Sequence, residues 1–267
     1  MSEEVLIPPT HPRAESLRIR ERLISSFRRG VVAASGLIAH GRGEAFDYLI
    51  GEQTIEPARK AIRAAAAYML MAKRPVISVN GNAAALVAKE LVELSKATNA
   101  KLEVNLFYRS RVREELIERT LKEAGASEVL GVGDRASAVI SELMSERRRV
   151  DPEGILIADL VLVPLEDGDR TMALVRMGKT VIAIDLNPLS RTSQWATVTI
   201  TDNVVRAIPL LVKEVLTLKG EGYESLKRIV NSFDNKRNLN DVLAYINARL
   251  SKLSSSKELI DLPKSEV

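Results

Sequence analysis

Short apolar runs, rich in β-branched residues, alternate with helical patterns through the middle of the chain, and a polar turn follows each run. The runs fall at 75–80 (PVISVN), 101–107, 128–132, 155–164, 180–186 and 196–201. Between and after them, apolar positions recur at helical spacing over 84–97, 112–124, 134–146, 170–177 and 204–218. Apolar strands separated by helices of about 10–15 residues indicate βαβ units, and hence a mostly parallel sheet buried on both faces. The right-handedness of such crossovers leaves a doubly wound, Rossmann-like α/β fold as the expected class.

Residues 1–72 read as a helical segment ahead of a 73–218 core, and 219–267 as closing helices and a tail, all in one α/β domain. Pro8, Pro9 and Pro12 predict an extended start. From Ser16 a basic amphipathic helix carries Leu17, Leu23, Ile24 and Phe27 on one side, and Gly30 ends it. The stretch 34–52, ASGLIAHGRGEAFDYLIGE, is glycine-punctuated and is expected not to form one regular element. A helix over 56–72 contains four consecutive alanines, Ala64 to Ala67, whose small side chains permit close approach by another element. The ERRRVD run at 146–151 reads as a solvated loop. Helices are expected over 224–232 and 239–253, before a frayed polar tail.

Hydrophobic residues make up 46% of the 267, enough for a full core, while aromatics are only 4%, so aliphatic side chains must fill it. The formal charge of +4, from 39 Lys and Arg against 35 Asp and Glu, is interleaved along the chain. That pattern describes a mixed solvated surface better than a nucleic-acid-binding stripe. The absence of cysteine excludes disulfides and thiol chemistry, and two histidines, His11 and His40, exclude a histidine-rich metal site. No basic n-region with an apolar stretch opens the chain and no run of about 18 apolar residues occurs, so a cytoplasmic protein with no membrane span is expected.

The candidate chemistry is positional. In open α/β sheets ligands bind beyond the carboxyl ends of the strands, where turns and helix N-termini converge. The expected strands end in Asn80-Gly81-Asn82, in Tyr108 and Arg109, in Gly131, Gly133 and Asp134, in Glu166-Asp167-Gly168-Asp169-Arg170, and in Asp185-Leu186-Asn187 with Arg191 and Thr192. Gly, Asn and Asp also serve plain turns and caps, and for Gly131, Gly133 and Asp134 both readings stay open. Three acids around one glycine exceed what a cap needs, and Arg191 with Thr192 offers a cation and a hydroxyl to a phosphate. Known nucleotide motifs fail: Gly36 to Arg42 has P-loop glycine spacing with Arg in place of Lys, and Gly131-Val132-Gly133 lacks the third glycine of a dinucleotide fingerprint, Ala136 standing there.

Several blocks together resemble the archaeal phosphopantothenate synthetase family, the 4-phosphopantoate–β-alanine ligases. They are His11-Pro12-Arg13, Gly36 to Leu49, Ser78 to Asn82, Val163 to Thr171 and Ile184 to Arg191. The resemblance spans about residues 8–253 and implies a Rossmann-like homodimer that uses ATP and magnesium. The implied reaction activates 4-phosphopantoate as an acyl-adenylate, releases pyrophosphate, and transfers the acyl group to β-alanine in coenzyme A biosynthesis. It also implies ATP contacts from Arg20, Arg42, Asp185, Leu186, Asn187, Arg191, Thr192, Asn203 and Val204; on the chemistry of the step, Arg42 and Arg191 are the expected catalytic charges on the triphosphate. Candidates for the other substrates are His40, Asn80, Asn82, Tyr108 and Arg109. Glu166, Asp167 and Asp169 are left to hold magnesium or to receive the β-alanine ammonium. The chain departs from the family at Ala14 and Glu15, where aromatic residues are expected, and carries Thr192 where serine also occurs. A nucleotide-cofactor oxidoreductase and a basic nucleic-acid-binding protein are the alternatives, the latter resting on Arg18, Arg20, Arg22, Arg28 and Arg29.

Overall fold

The computed structural model describes residues 7–11, 13–165 and 167–256. Pro12, Glu166 and the tail from 257 lie outside them. The elements are α1 (Ala14–Arg28), α2 (Ala34–Ile50), α3 (Glu56–Met71), β1 (Pro75–Val79), α4 (Gly81–Thr98), β2 (Lys101–Val104) and α5 (Arg111–Glu123). There follow β3 (Ala138–Val139), β4 (Arg149–Val150), β5 (Leu160–Pro164), α6 (Gly168–Arg176), β6 (Thr180–Ile184), α7 (Arg191–Trp195), β7 (Val198–Ile200), α8 (Val204–Leu218), α9 (Tyr223–Ser232) and α10 (Asn235–Ser255).

Five strands form one parallel sheet in the order β2-β1-β5-β6-β7. All of β1 and β5 is buried, because alternate side chains enter two separate cores. Ile77, Leu102, Leu162 and Ile182 pack toward α3, α4 and α8, while Val76, Val161, Val163 and Val181 pack toward Ala173 and Leu174 of α6. Ala64 to Ala67 are buried at the contact of α3 with α8, the close approach that small side chains allow. This is a Rossmann-like α/β fold. Its chain runs outward from β1 to β2, then crosses back to β5, so the strand order reverses between β1 and β5. A crevice is dictated at the carboxyl ends of those two strands.

The structure differs from expectation in four places. The stretch 34–50 is one continuous helix, α2, in which Gly36 serves close packing: a Cβ there would strike the Asn82 side chain, whereas one at Gly43 would make only ordinary contact with Leu186. The expected strand at 128–132 is a single parallel bridge, Leu130 to Glu103, and only a three-residue 3₁₀ turn, Gly133–Arg135, follows it in place of the expected helix. Gly131 and Gly133 take positive φ there. A helix over 134–146 would bury Val139, Ile140, Leu143 and Met144 together. Instead Ile140 and Leu143 are buried in irregular chain while Met144 is 91% exposed, so tertiary packing uses only half of that periodicity. The ERRRVD run is not solvated: Arg147 is 7% and Asp151 1% exposed, and β4 pairs with β3. Residues 8–11 form a turn in place of the expected extended start, His11 N–H donating to Pro8 O at 3.0 Å.

Candidate active site

Asn80 closes the switch point. Its Oδ1 accepts from Ala83 N (3.0 Å) and caps α4, while Nδ2 donates to Pro164 O (2.7 Å) and Leu165 O (3.3 Å) beyond β5. Leu165 sits at φ 54°, a left-handed conformation that a branched side chain resists, so the β5 turn is held in place by its partners. Replacing Asn80 with Ala removes the cap and both carbonyl bonds. A loss of about 2–3 kcal/mol is expected in a urea titration, together with a large fall in turnover.

Around Asn80 lies a cleft of about 290 Å³. Its near wall is α2, where Asn82 Nδ2 donates to Gly36 O at 2.8 Å and Arg42 lines the opening. Its far wall is the loop after β2, in which Phe107 and Tyr108 meet edge to face at 4.9 Å, together with Arg113 of α5 and Arg147. Backbone carbonyls fix both arginines. Arg113 donates to Tyr108 O and to Val31 O (3.3 Å), and Arg147 to Asn105 O (3.4 Å), while Arg147 Nε pairs with Asp167 at 2.8 Å. Burial, and then the charge of Arg147, lower the Arg113 pKa from its ordinary value. The described lining thus carries three arginines and the Asp167 carboxylate.

The β6 turn adjoins this cleft. Asp185 accepts from Ser190 Oγ (2.5 Å) and Asn187 N (2.9 Å), Asn187 Oδ1 accepts from Leu189 N (2.9 Å), and Ser190 caps α7. Burial raises the Asp185 pKa, against those hydrogen bonds and the charge of Arg42, whose side chain lines the cleft. Leu186 is buried among α2, α3 and α10, which leaves its backbone rather than its side chain to face a ligand. Thr192 is buried, and Arg191 lies in the open, paired with Asp169 at 2.5 Å. A Cβ on Gly168 would fall 2.5 Å from Arg191 Cβ, so the β5 and β6 turns are in contact.

A buried polar network moors α2 above these turns. Asn203 caps α8, accepting from Val205 N at 3.3 Å, and its Nδ2 donates to Asp47 Oδ2 at 3.0 Å. Arg206 bridges Asp47 and Asp202 (2.7 Å), and Thr54 Oγ1 donates to Asp202 Oδ2 at 2.6 Å. Val204 is core. Arg20 pairs with Glu44 at 3.6 Å, and His40 shares a second, narrow cleft with Glu44, Asp47 and Asn203. Burial lowers the His40 pKa, opposed by Glu44 and Asp47.

Of the expected residues, Arg42, Asn80, Asn82, Tyr108 and Asp167 line one cleft, while Asp185, Asn187, Arg191 and Asp169 form its neighbouring rim. Arg20, His40 and Asn203 lie on the α1–α2–α8 side. Arg109 is a correction: its side chain is 4% exposed, pairs with Glu114, and donates to Gly131 O (2.6 Å) and Arg149 O (3.1 Å), so it staples three loops and offers nothing to a ligand. Glu166 lies outside the described residues. Arg113, Arg147 and Asp47 belong to the site, yet the sequence pattern does not single them out. A cue exists for Arg113, because it stands in the first turn of α5, where the helix dipole disfavours a cation. Gly36 to Arg42 lies inside a helix, and Gly133 opens only a three-residue 3₁₀ turn, so neither glycine set makes a phosphate loop.

Residues 57–249 match the phosphopantothenate/pantothenate synthetase family. A 4-phosphopantoate–β-alanine ligase of Thermococcus kodakarensis is 55% identical over 251 residues, 94% of this chain and 95% of that protein. Ligases of the same name from Thermococcus onnurineus and Methanosarcina mazei are 54% and 50% identical, over 94% and 93% of the chain and 95% and 97% of their own lengths. With this coverage, and a Rossmann-like sheet whose switch point carries the cleft, the chain belongs to the phosphopantothenate/pantothenate synthetase family.

Proposed function

We propose that this protein condenses 4-phosphopantoate with β-alanine to 4′-phosphopantothenate, using ATP, as a step in coenzyme A biosynthesis. The observation that carries this reading is the arginine-lined cleft at the switch point, joined through Arg42 to the rigid Asp185 turn. One compartment suits an anionic acid and the other a nucleotide. In the proposed reaction a carboxylate oxygen of the acid attacks the α-phosphorus of ATP and pyrophosphate leaves. The amine of β-alanine then attacks the acyl carbon, AMP leaves, and the ammonium proton is lost. Arg42, reaching both compartments, neutralises the acid and the α-phosphate together, and Arg191 at the rim meets the departing pyrophosphate. Such preorganised charge is worth several kcal/mol at the transition state. Asp185, already accepting two hydrogen bonds, is held still for ribose hydroxyls.

Among the described residues no three His, Asp or Glu side chains converge on a metal site. Asp167 and Asp169 at the crevice, which pair with Arg147 and Arg191, would be the carboxylates to hold a magnesium ion of the kind bound by one or two carboxylates and by substrate phosphates. Bound there, the ion would supply positive charge to the triphosphate. The reading includes a homodimer and a cytoplasmic location, and no described helix is long and apolar enough to cross a membrane.

The test is incubation with ATP, 4-phosphopantoate and β-alanine. The expected products are 4′-phosphopantothenate, AMP and pyrophosphate in equal amounts. ADP and inorganic phosphate would reject the adenylate route, and no 4′-phosphopantothenate would reject the ligase itself.

A further inference from the structure

We infer that a second cleft, between α6 and the loop 140–148 that joins β3 to β4, receives the amino acid of the proposed reaction, with Arg176 recognising its carboxylate. This rests on the ligase reading and gives β-alanine a place of its own beside the acid.

The second cleft has a volume of about 440 Å³ and adjoins the first. Phe107 and Asp167 line both, so the two share a wall at the β5 turn. Leu143 and Ala173, both buried, give it an apolar floor. Among the described residues five charged groups line it, and three of them are committed. Asp167 pairs with Arg147 at 2.8 Å and Asp169 with Arg191 at 2.5 Å, and both carboxylates are already proposed for magnesium. Arg170 is fully buried and donates to Ser78 Oγ at 3.1 Å.

That leaves one acid and one base. Glu142 accepts from Ser141 Oγ at 3.1 Å and has no cationic partner among the described residues. Arg176 has no carboxylate partner among them and lies over the ring of Trp195, 5.5 Å from its centroid. Stacking of that kind fixes the plane of the guanidinium while its edge N–H groups stay available to a carboxylate. A cation in the last turn of a helix is ordinary in itself, since the dipole favours it there. A tryptophan beneath it and an acid-lined cleft before it are no part of that role. A zwitterion matches the pair, its ammonium drawn to Glu142 and its carboxylate to Arg176.

The orientation follows from α6. Asp169 and Arg176 stand seven residues apart, on one face of the helix and about 10.5 Å apart along its axis. An extended β-alanine measures about 5 Å from nitrogen to carboxylate oxygen, so it fits between the acidic end and the guanidinium. With the carboxylate at Arg176, the amine lies toward the wall shared with the acid cleft, where the acyl carbon is proposed to form.

The experiment compares R176M and R176K with the wild type, all of which should fold, because Arg176 is exposed. Steady-state kinetics gives the Michaelis constants of β-alanine, ATP and 4-phosphopantoate. It also gives the inhibition constant of 3-amino-1-propanol, a competitor with the amine and no carboxylate. In R176M the β-alanine constant is expected to rise about 10- to 30-fold, the size of a lost charge-assisted hydrogen bond. The value of kcat at saturating β-alanine and the other three constants stay within about threefold, as for a contact remote from the reacting atoms. Lysine restores part of the loss, since it keeps the charge and loses the fork. Exchange of labelled pyrophosphate into ATP, run with 4-phosphopantoate and no amine, is expected to proceed at the wild-type rate in both variants. An unchanged β-alanine constant in R176M, a parallel rise for 3-amino-1-propanol, or a matching fall in the exchange overturns the proposal. If the wild type makes 4′-phosphopantothenate while R176M is unaltered, the proposal alone fails. If the wild type makes none, the ligase reading fails and the proposal with it.

Discussion

Arg42→Ala lowers kcat by about 10²- to 10³-fold and leaves the protein folded. Arg42 is exposed on α2 between Gly41 and Gly43, and no apolar cluster depends on it, so truncation should change stability by no more than about 0.5 kcal/mol. Arg42 lines the cleft and its charge acts on Asp185, the two places between which the proposed reaction would form the new bond to phosphorus. A cation working mainly on the transition state should depress kcat more than it weakens the apparent binding of either substrate. Steady-state kinetics beside a thermal melt makes the separation. Activity within about fivefold of wild type, on a folded protein, would remove Arg42 from the reaction.

The second large effect concerns stability and its pH dependence. Beneath the cleft Arg170 is fully buried, donates to Ser78 Oγ at 3.1 Å, and holds its charge near Glu103, itself buried on β2. Glu103 Oε1 accepts from Asp151 N (2.9 Å) and Oε2 from Ile155 N (2.6 Å), with Gly131 and Gly154 packed so tightly that a Cβ on either would collide with it. Burial raises its pKa to about 7, against those two hydrogen bonds and Arg170. A carboxyl whose pKa is higher folded than unfolded holds an extra proton in the folded state. Its stabilisation is therefore complete below the unfolded value and is lost as pH rises through the folded one. For Glu103 the loss runs from about pH 4.5 to pH 7 and amounts to roughly 3 kcal/mol. Arg170→Met removes the compensating charge and pushes the folded pKa higher, extending the loss above pH 7. We expect the variant to be destabilised by about 3–5 kcal/mol at pH 8 and distinctly less at pH 5.5. Urea titrations at the two pH values decide it, since equal losses at both would place the effect in packing alone.

Most of the sheet was legible because each central strand is buried on both faces and so reads as an unbroken apolar run. The switch-point residues Asn80 and Asn82 were legible for a related reason, since polar groups at a strand end stand out against such runs. What was illegible depended on contacts distant in sequence. Gly36 of α2 looks like a helix breaker until the Asn82 side chain is seen against it. Arg109 and Arg113, four residues apart, look alike in sequence, yet Glu114 draws the first into the interior while Tyr108 O and Val31 O hold the second at the cleft. Arg147 sits in a charged run that resembles surface until the Asn105 carbonyl and Asp167 are placed around it.

The mooring of α2 at Asp47 makes that helix a lever. Gly36 lies eleven residues from Asp47 and Arg42 only five, which at the rise of an α-helix is about 16 Å against 7.5 Å. A tilt of about 5° pivoting on the Asp47–Arg206 pair would carry Gly36 through roughly 1.4 Å and Arg42 through about half of that. Such a tilt would have to break the hydrogen bond from Asn82 to Gly36 O at the far end, while Arg42 would stay nearly still. In mechanical terms Arg42 sits near the fulcrum, and the contact of Gly36 with Asn82 acts as a latch at the far end of the arm.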